Sequence, residues 1–260
     1  MATHEDIITA KIFMNAAFPV LQVLMNEDPK LAPKAKKFNH TIQFGAKNNG
    51  ELLCCHLIFK DGHLDVIQGP AEKADVTMTF SSVEKMNALL RGTGMNLPAI
   101  KGNLIVALDF LLNYLMGLKI MTKDPTTEIE KYLKVKCSLY MICRAMSTYN
   151  KLGDPDFHEF CQRQPDRIYQ FRVEDKQGEA RIACYLRVCQ GKSKSGHGIY
   201  EKRSPFVLFR FTSVDAALKI LNKEVEFVAG AEQGLVETVG SPEYACYLND
   251  YMSIIQAMVT

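Results

Sequence analysis

The chain has 260 residues, enough for one large domain or two of ordinary size, with 47% hydrophobic and 23% charged residues and a net charge of +2. So small a net charge gives no reason to expect a nucleic-acid partner, which would need a basic face. No run reaches the roughly 18 uninterrupted apolar residues of a membrane span; the longest, Leu104 to Ile120, is broken by Asp109, Asn113 and Lys119.

The first predicted element is a helix over Ile7 to Met25, stopped by Pro29 and Pro33. Its leading residues, MATHEDIITAK, are acidic where a secretory signal is basic, and the reading is a cytoplasmic protein. IQFGAKNNGELLCCHLIF follows as two strands joined at Asn49-Gly50, a strong hairpin signal. ADVTMTF then places Val76, Met78 and Phe80 on alternate positions, the mark of a strand with one buried face. Ser81 with Glu84 three residues later fits a capping box opening a short helix. KGNLIV reads as a glycine followed by a strand, and Asp109 as the cap of a last helix, FLLNYLMGLKIM.

After the polar link Thr122-Lys123-Asp124-Pro125 the same order returns. A helix spans Thr127 to Tyr149 and ends before Gly153-Asp154-Pro155; a hairpin follows in YQFRVEDKQGEARIACYLRV, with Gln177-Gly178 at its bend. PFVLFRF repeats the alternation with Val207, Phe209 and Phe211. FTSVDAALKIL, which begins at Phe211, shares four of its eleven positions with FSSVEKMNALL, which begins at Phe80. Thr212 and Asp215 stand there at the places of Ser81 and Glu84. QGLVET, from Gln233, then takes the place of KGNLIV, from Lys101. Ser241 opposite Asp109 opens PEYACYLNDYMSII, where Pro242 suits the first helical position. A repeat of this kind sets the fold. The expectation is an α+β chain of two copies, residues 1–122 and 126–260. Each has a mostly antiparallel sheet of about five strands covered on one face by helices.

Residues 74–106 of this pattern resemble the sterol carrier protein type 2 superfamily. Ala74-Asp75, Glu84, Leu89, Gly94, Ala99, Gly102, Leu104 and Val106 stand at the places of that family's motif. The second copy keeps Asp215, Leu218, Leu221, Gly234, Val236 and Gly240-Ser241, has Ser204-Pro205 in place of Ala-Asp, and lacks the Gly-x-Met turn. The resemblance covers residues 40–121 well and 168–256 more loosely. It implies an apolar cavity between sheet and helices and non-enzymatic binding or transfer of a fatty acid, acyl-CoA or sterol-like molecule. Alternatives are a scaffold with filled cavities, or an accessory subunit of an enzyme carried on another chain. Because the last helix of copy one is apolar nearly all round while copy two offers Glu243, Asn249 and Asp250, the ligand is expected in copy one, lined by Met86, Leu90, Leu108, Leu111, Leu112 and Leu115.

Other constellations carry less. The eight cysteines include no C-x-x-C pair, so neither zinc nor a disulfide framework is expected. His56, Asp61, His63 and Asp65 would spread over both faces of a hairpin instead of converging on a metal. No catalytic motif is present, and no cofactor is expected. Lys30, Lys34, Lys36 and Lys37, and again Lys192, Lys194, Lys202 and Arg203, are most simply solvated loops. In a lipid carrier they would also support transient contact with anionic membrane.

Overall fold

The computed structural model describes residues 2–259. The described chain divides into two compact units: residues 2–124 with Met258 and Val259 form the first, and Pro125–Ala257 the second. The first is built from α1 (His4–Ile12), α2 (Phe18–Glu27), α3 (Ala32–Ala35), β1 (Thr41–Asn48), β2 (Glu51–Lys60), β3 (His63–Gln68), β4 (Val76–Phe80), α4 (Val83–Arg91), β5 (Ala99–Gly102) and α5 (Leu104–Asp109). Its five strands lie in the order β3-β2-β1-β4-β5. Asn49-Gly50 makes the expected hairpin, and Asp61-Gly62 a second; both residues of each pair have positive φ, the geometry of a two-residue turn that matches strand twist. β1 and β4 run parallel and the other neighbours antiparallel. Ile42, Phe44, Val76, Met78 and Phe80 point inward and are buried, while Thr77 and Thr79 between them stay partly exposed.

The second unit contains α6 (Glu128–Lys151), α7 (Pro155–Gln162), β6 (Arg167–Glu174), β7 (Ala180–Cys189), β8 (Lys192–His197), β9 (Val207–Phe211), α8 (Val214–Leu221), α9 (Phe227–Glu232), β10 (Val236–Gly240) and all but the last two residues of α10 (Pro242–Val259). Its sheet, β8-β7-β6-β9-β10, repeats the first in order and direction. The registers coincide as well. Ile42 pairs with Leu57 on one side and Val76 on the other; Tyr169 pairs with Leu186 and Val207. The next residue is a glutamine in both copies. Gln43 Oε1 accepts from the Ala71 N–H at 2.9 Å, and Gln170 Oε1 from the Tyr200 N–H at 2.9 Å, so one side chain pins the same crossover in each unit. The chain is a tandem α+β repeat.

Two expected details move. The helix caps are Ser82 and Ser213, accepting from Lys85 N–H at 3.4 Å and Ala216 N–H at 3.0 Å, one residue beyond Ser81 and Thr212. The cap residues keep extended backbone (φ −156° and −164°), so Val83 and Val214 become the first helical positions. Glu84 and Asp215 then sit in the first turn, favourable to the helix dipole but outside a capping box. The second change is larger. Leu104 to Val106 are not a strand: Asn103 Oδ1 accepts from Ile105 and Val106 N–H at 3.0 and 3.3 Å and starts the helix there. Asn103, not Asp109, is therefore the counterpart of Ser241, each following a left-handed glycine, Gly102 or Gly240, that ends the last strand. The second copy is longer between helix and last strand, and the extra chain forms α9.

Among the described residues, two helical stretches are long and apolar enough to cross a membrane, His4–Glu27 and Leu104–Met121; their most apolar windows are 72% and 33% buried in the protein. The first continues through Pro19, which has no N–H to bond back. A π-helical turn at Phe13–Ala17 precedes it and absorbs the missing bond. The second passes from α5 into a π-helical turn, Phe110–Leu115, and a 3₁₀ turn, Met116–Met121.

Candidate functional site

In the first unit the space between sheet and helices is filled by rings. Phe18 meets Phe44 at 5.2 Å between centroids, Phe44 meets Phe80 at 5.3 Å, Phe59 meets Tyr114 at 5.0 Å, and Phe38 meets Tyr114 at 4.5 Å. Phe110 joins this group beside Phe44, Phe59 and Tyr114, and every one of these rings is buried. The six residues expected to line a pocket here are divided by the helix phase. Met86 and Leu115 are buried, Leu90 and Leu111 are half-buried, and Leu108 and Leu112 face outward, 48% and 69% exposed. The inward positions belong to Phe110 and Tyr114 instead.

A cavity of about 290 Å³ lies in the second unit, bounded by α6, α8, α9 and α10. Its origin is local. α8 ends at Leu221; Asn222 caps it, and Lys223 turns the chain with φ +59°, a conformation uncommon for any residue but glycine. Glu226 opens α9, which seats closely on α8 because Gly230 has no side chain: a Cβ there would come within 2.8 Å of Ile220 Cδ1. Phe227 is fixed against Phe209 at 5.6 Å. From α10, Asn249, Met252, Ser253 and Gln256 present one helical face to the space. Gln256 Nε2 donates to the Leu221 carbonyl at 2.9 Å and ties that helix to the end of α8. Ile142 and Leu221 are buried at the base, whereas Lys223 and Glu226 are exposed at the rim. The walls are mixed, with Ile142, Ile220, Leu221, Val225, Phe227 and Met252 set against Lys223, Glu226, Asn249, Ser253 and Gln256; such a mixture suits an amphiphile, and the volume stands at the lower end for ligand pockets. None of the six first-unit residues lines this cavity.

The cysteines are free, and six are buried. Burial pushes the Cys161 thiol up to about 12 and raises Cys55 and Cys143 as well, so these thiols stay protonated and behave as small hydrophobes. Cys143 and Cys184 are hydrogen-bonded as free thiols, 3.3 Å between sulfurs, and form no disulfide. Among the described residues no three His, Cys, Asp or Glu side chains are grouped to hold a metal ion. His56 bonds the Gly69 carbonyl through Nδ1, while His63 lies beside Asp65 at the far end of that hairpin.

The sequence model of the SCP-2 sterol transfer family matches residues 21–110, from α2 to the middle of the last helix of the first unit. The matched stretch is thus similar in sequence to an SCP-2 sterol transfer domain over about a third of the chain. Among solved structures, sterol carrier protein 2 like 2 from Aedes aegypti is 19% identical, covering 45% of this chain and 97% of its own, with a TM-score of 0.31. The sterol carrier protein domain 2 of Helicoverpa armigera is 21% identical, covering 44% of this chain and 95% of its own, with a TM-score of 0.32. Sterol carrier protein 2 from Aedes aegypti, solved as a complex with palmitate, is 15% identical, covering 50% of this chain and 97% of its own, also at 0.32. No curated protein matches the chain. The SCP-2 match ends before the second unit, whose SCP-2-like fold rests on its own repeated strand order and register.

Proposed function

We propose that the protein is a non-enzymatic carrier of a hydrophobic small molecule, an acyl lipid of the fatty-acid type, held in the cavity of the second unit. The observation that carries this reading is the space of about 290 Å³, apolar at its base and polar at its rim. The match of residues 21–110 to the model of a sterol transfer family supports a lipid ligand. Burying an acyl chain contributes about 0.8 kcal/mol per methylene. Eight or so methylenes thus give about 6 kcal/mol gross before the cost of association. Affinity in the micromolar range or weaker fits a molecule that delivers its cargo.

A second reading puts the ligand on the first unit, along Met86, Leu90, Leu108, Leu111, Leu112 and Leu115. One observation favours it: Leu108 and Leu112 are exposed beside half-buried Leu111, offering a chain apolar surface. The two are separated by titrating a fluorescent fatty acid into variants. Ser253→Trp fills the cavity and should weaken binding at least tenfold, while Leu90→Gln with Leu111→Gln leaves it intact. The opposite pattern selects the second reading, and a wild-type protein that takes up no fatty acid defeats both.

A further inference from the structure

The stretch Leu104–Met121 has only about a third of its most apolar window buried, yet it belongs to a folded unit. Phe110 and Tyr114 hold its inner side in the aromatic core. Outward it presents Leu104, Leu108, Leu112 and Met116, 58%, 48%, 69% and 44% exposed. The spacing of four is kept through the π-helical turn, and the 3₁₀ turn that follows brings exposed Lys119 onto the same line. Ile105, 79% exposed, widens the stripe at its start, where exposed Lys101 precedes it.

A basic segment is fastened beside this helix. Lys34 Nζ donates to Asn113 Oδ1 at 2.7 Å, and Phe38 packs on Tyr114 at 4.5 Å. The segment between them carries Lys36 and Lys37, and Lys30 precedes it; all four lysines are exposed. Asp109 is turned to Asn113 by a hydrogen bond. The lysine cluster, which sequence alone reads as a solvated loop with membrane contact as the alternative, is thus placed along an exposed apolar stripe. Leu108 and Leu112, which sequence alone assigns to a pocket wall, are part of that stripe.

We propose that this face of the first unit docks on an anionic lipid bilayer, with Leu104, Leu108 and Leu112 entering the interface and the lysines above the headgroups. The helix lies flat, since its other side is committed to the core; apolar entry combined with charge is the arrangement of interfacial helices. Four to eight Lys or Arg beside such a helix is the pattern that recognises anionic lipid, each contributing about 1 kcal/mol near the surface. The lysines also select the occupant. A second copy docked on the same face would bring two lysine rows together, whereas an anionic surface neutralises them.

The test is co-sedimentation of the full chain with vesicles of phosphatidylcholine alone, or of a two-to-one mixture of phosphatidylcholine and phosphatidylglycerol. Binding to the anionic vesicles only is expected. It should fall at least fivefold in Leu108→Gln/Leu112→Gln and in Lys34→Gln/Lys36→Gln/Lys37→Gln, and weaken in high salt. Both Leu positions are exposed, so circular dichroism and the urea midpoint should match wild type. Absence of wild-type binding, or wild-type binding by the Leu variant, overturns the proposal. So does sedimentation of the wild type as a dimer that the Leu variant abolishes, which would assign the face to a second copy. None of these outcomes depends on the cavity of the second unit.

Discussion

Gly102→Ala should destabilise the first unit, and Gly240→Ala the second, by about 3 kcal/mol or more each, a large share of the 5–15 kcal/mol that holds a domain together. Both glycines have left-handed backbone, φ +100° and +109°. Strain of that kind costs on the order of 1–3 kcal/mol for a side-chain-bearing residue. Contact adds to it. A Cβ on Gly102 would lie 2.1 Å from the Asp75 carbonyl oxygen, and one on Gly240 2.1 Å from that of Phe206. Those carbonyls precede β4 and β9, whose paired backbone cannot retreat as the end of a flexible side chain would. Gly50 is the control: its φ is +88°, but nothing lies within 4 Å of its Cβ position, so Gly50→Ala carries strain alone, about 1 kcal/mol. Urea unfolding midpoints of the three variants measure the difference. Equal effects at Gly50, Gly102 and Gly240 would remove the close approach from the account, and with it the structural equivalence of the two glycines.

Phe110→Ala should cost about 3–5 kcal/mol, the range for deleting a buried aromatic ring. Phe110 is fully buried, 6.4 Å from Phe44, 6.1 Å from Phe59 and 6.2 Å from Tyr114 between centroids. The surrounding rings are gripped by the sheet on one side and the helices on the other, so the void cannot close by small movements. Leu112→Ala, two residues along the same helix, should change stability by about 0.5 kcal/mol or less, because Leu112 is 69% exposed. Chemical denaturation of the two variants tests the helix phase directly. A larger loss at Leu112 than at Phe110 would mean that Leu112, and not the ring, faces the interior.

Much of the fold was legible because strand alternation is local. Val76, Met78 and Phe80, with Val207, Phe209 and Phe211, declare one buried face by their spacing, and the structure buries all six. The hairpin at Asn49-Gly50 was readable for a similar reason: two positive-φ positions call for those residues. The last helix of the first unit was not readable in phase. Its residues are apolar on nearly every side, and the π-helical turn at Phe110–Leu115 shifts the period that a regular helix would keep. Leu108 and Leu112 therefore looked as eligible for the interior as Phe110 and Tyr114. The cavity was not legible because the two copies differ in length where it forms. Matching QGLVET to KGNLIV held the two copies at a nearly constant offset and absorbed the extra chain of the second copy. The cap that follows each left-handed glycine, Gly102-Asn103 and Gly240-Ser241, is the better anchor, and it places the extra length of the second copy within NKEVEFVAGAEQ. That stretch supplies Lys223, Val225, Glu226 and Phe227 to the cavity wall.

The lipid site is tested most directly by photo-crosslinking with a medium-chain fatty acid bearing a diazirine near its methyl end, followed by peptide mapping of the full chain. Adducts are expected on residues 214–232 and 242–257, concentrated at Leu221, Phe227 and Met252, and suppressed by unlabelled fatty acid and by Ser253→Trp. Competable adducts confined to residues 83–121 would place the ligand in the first unit and contradict that expectation.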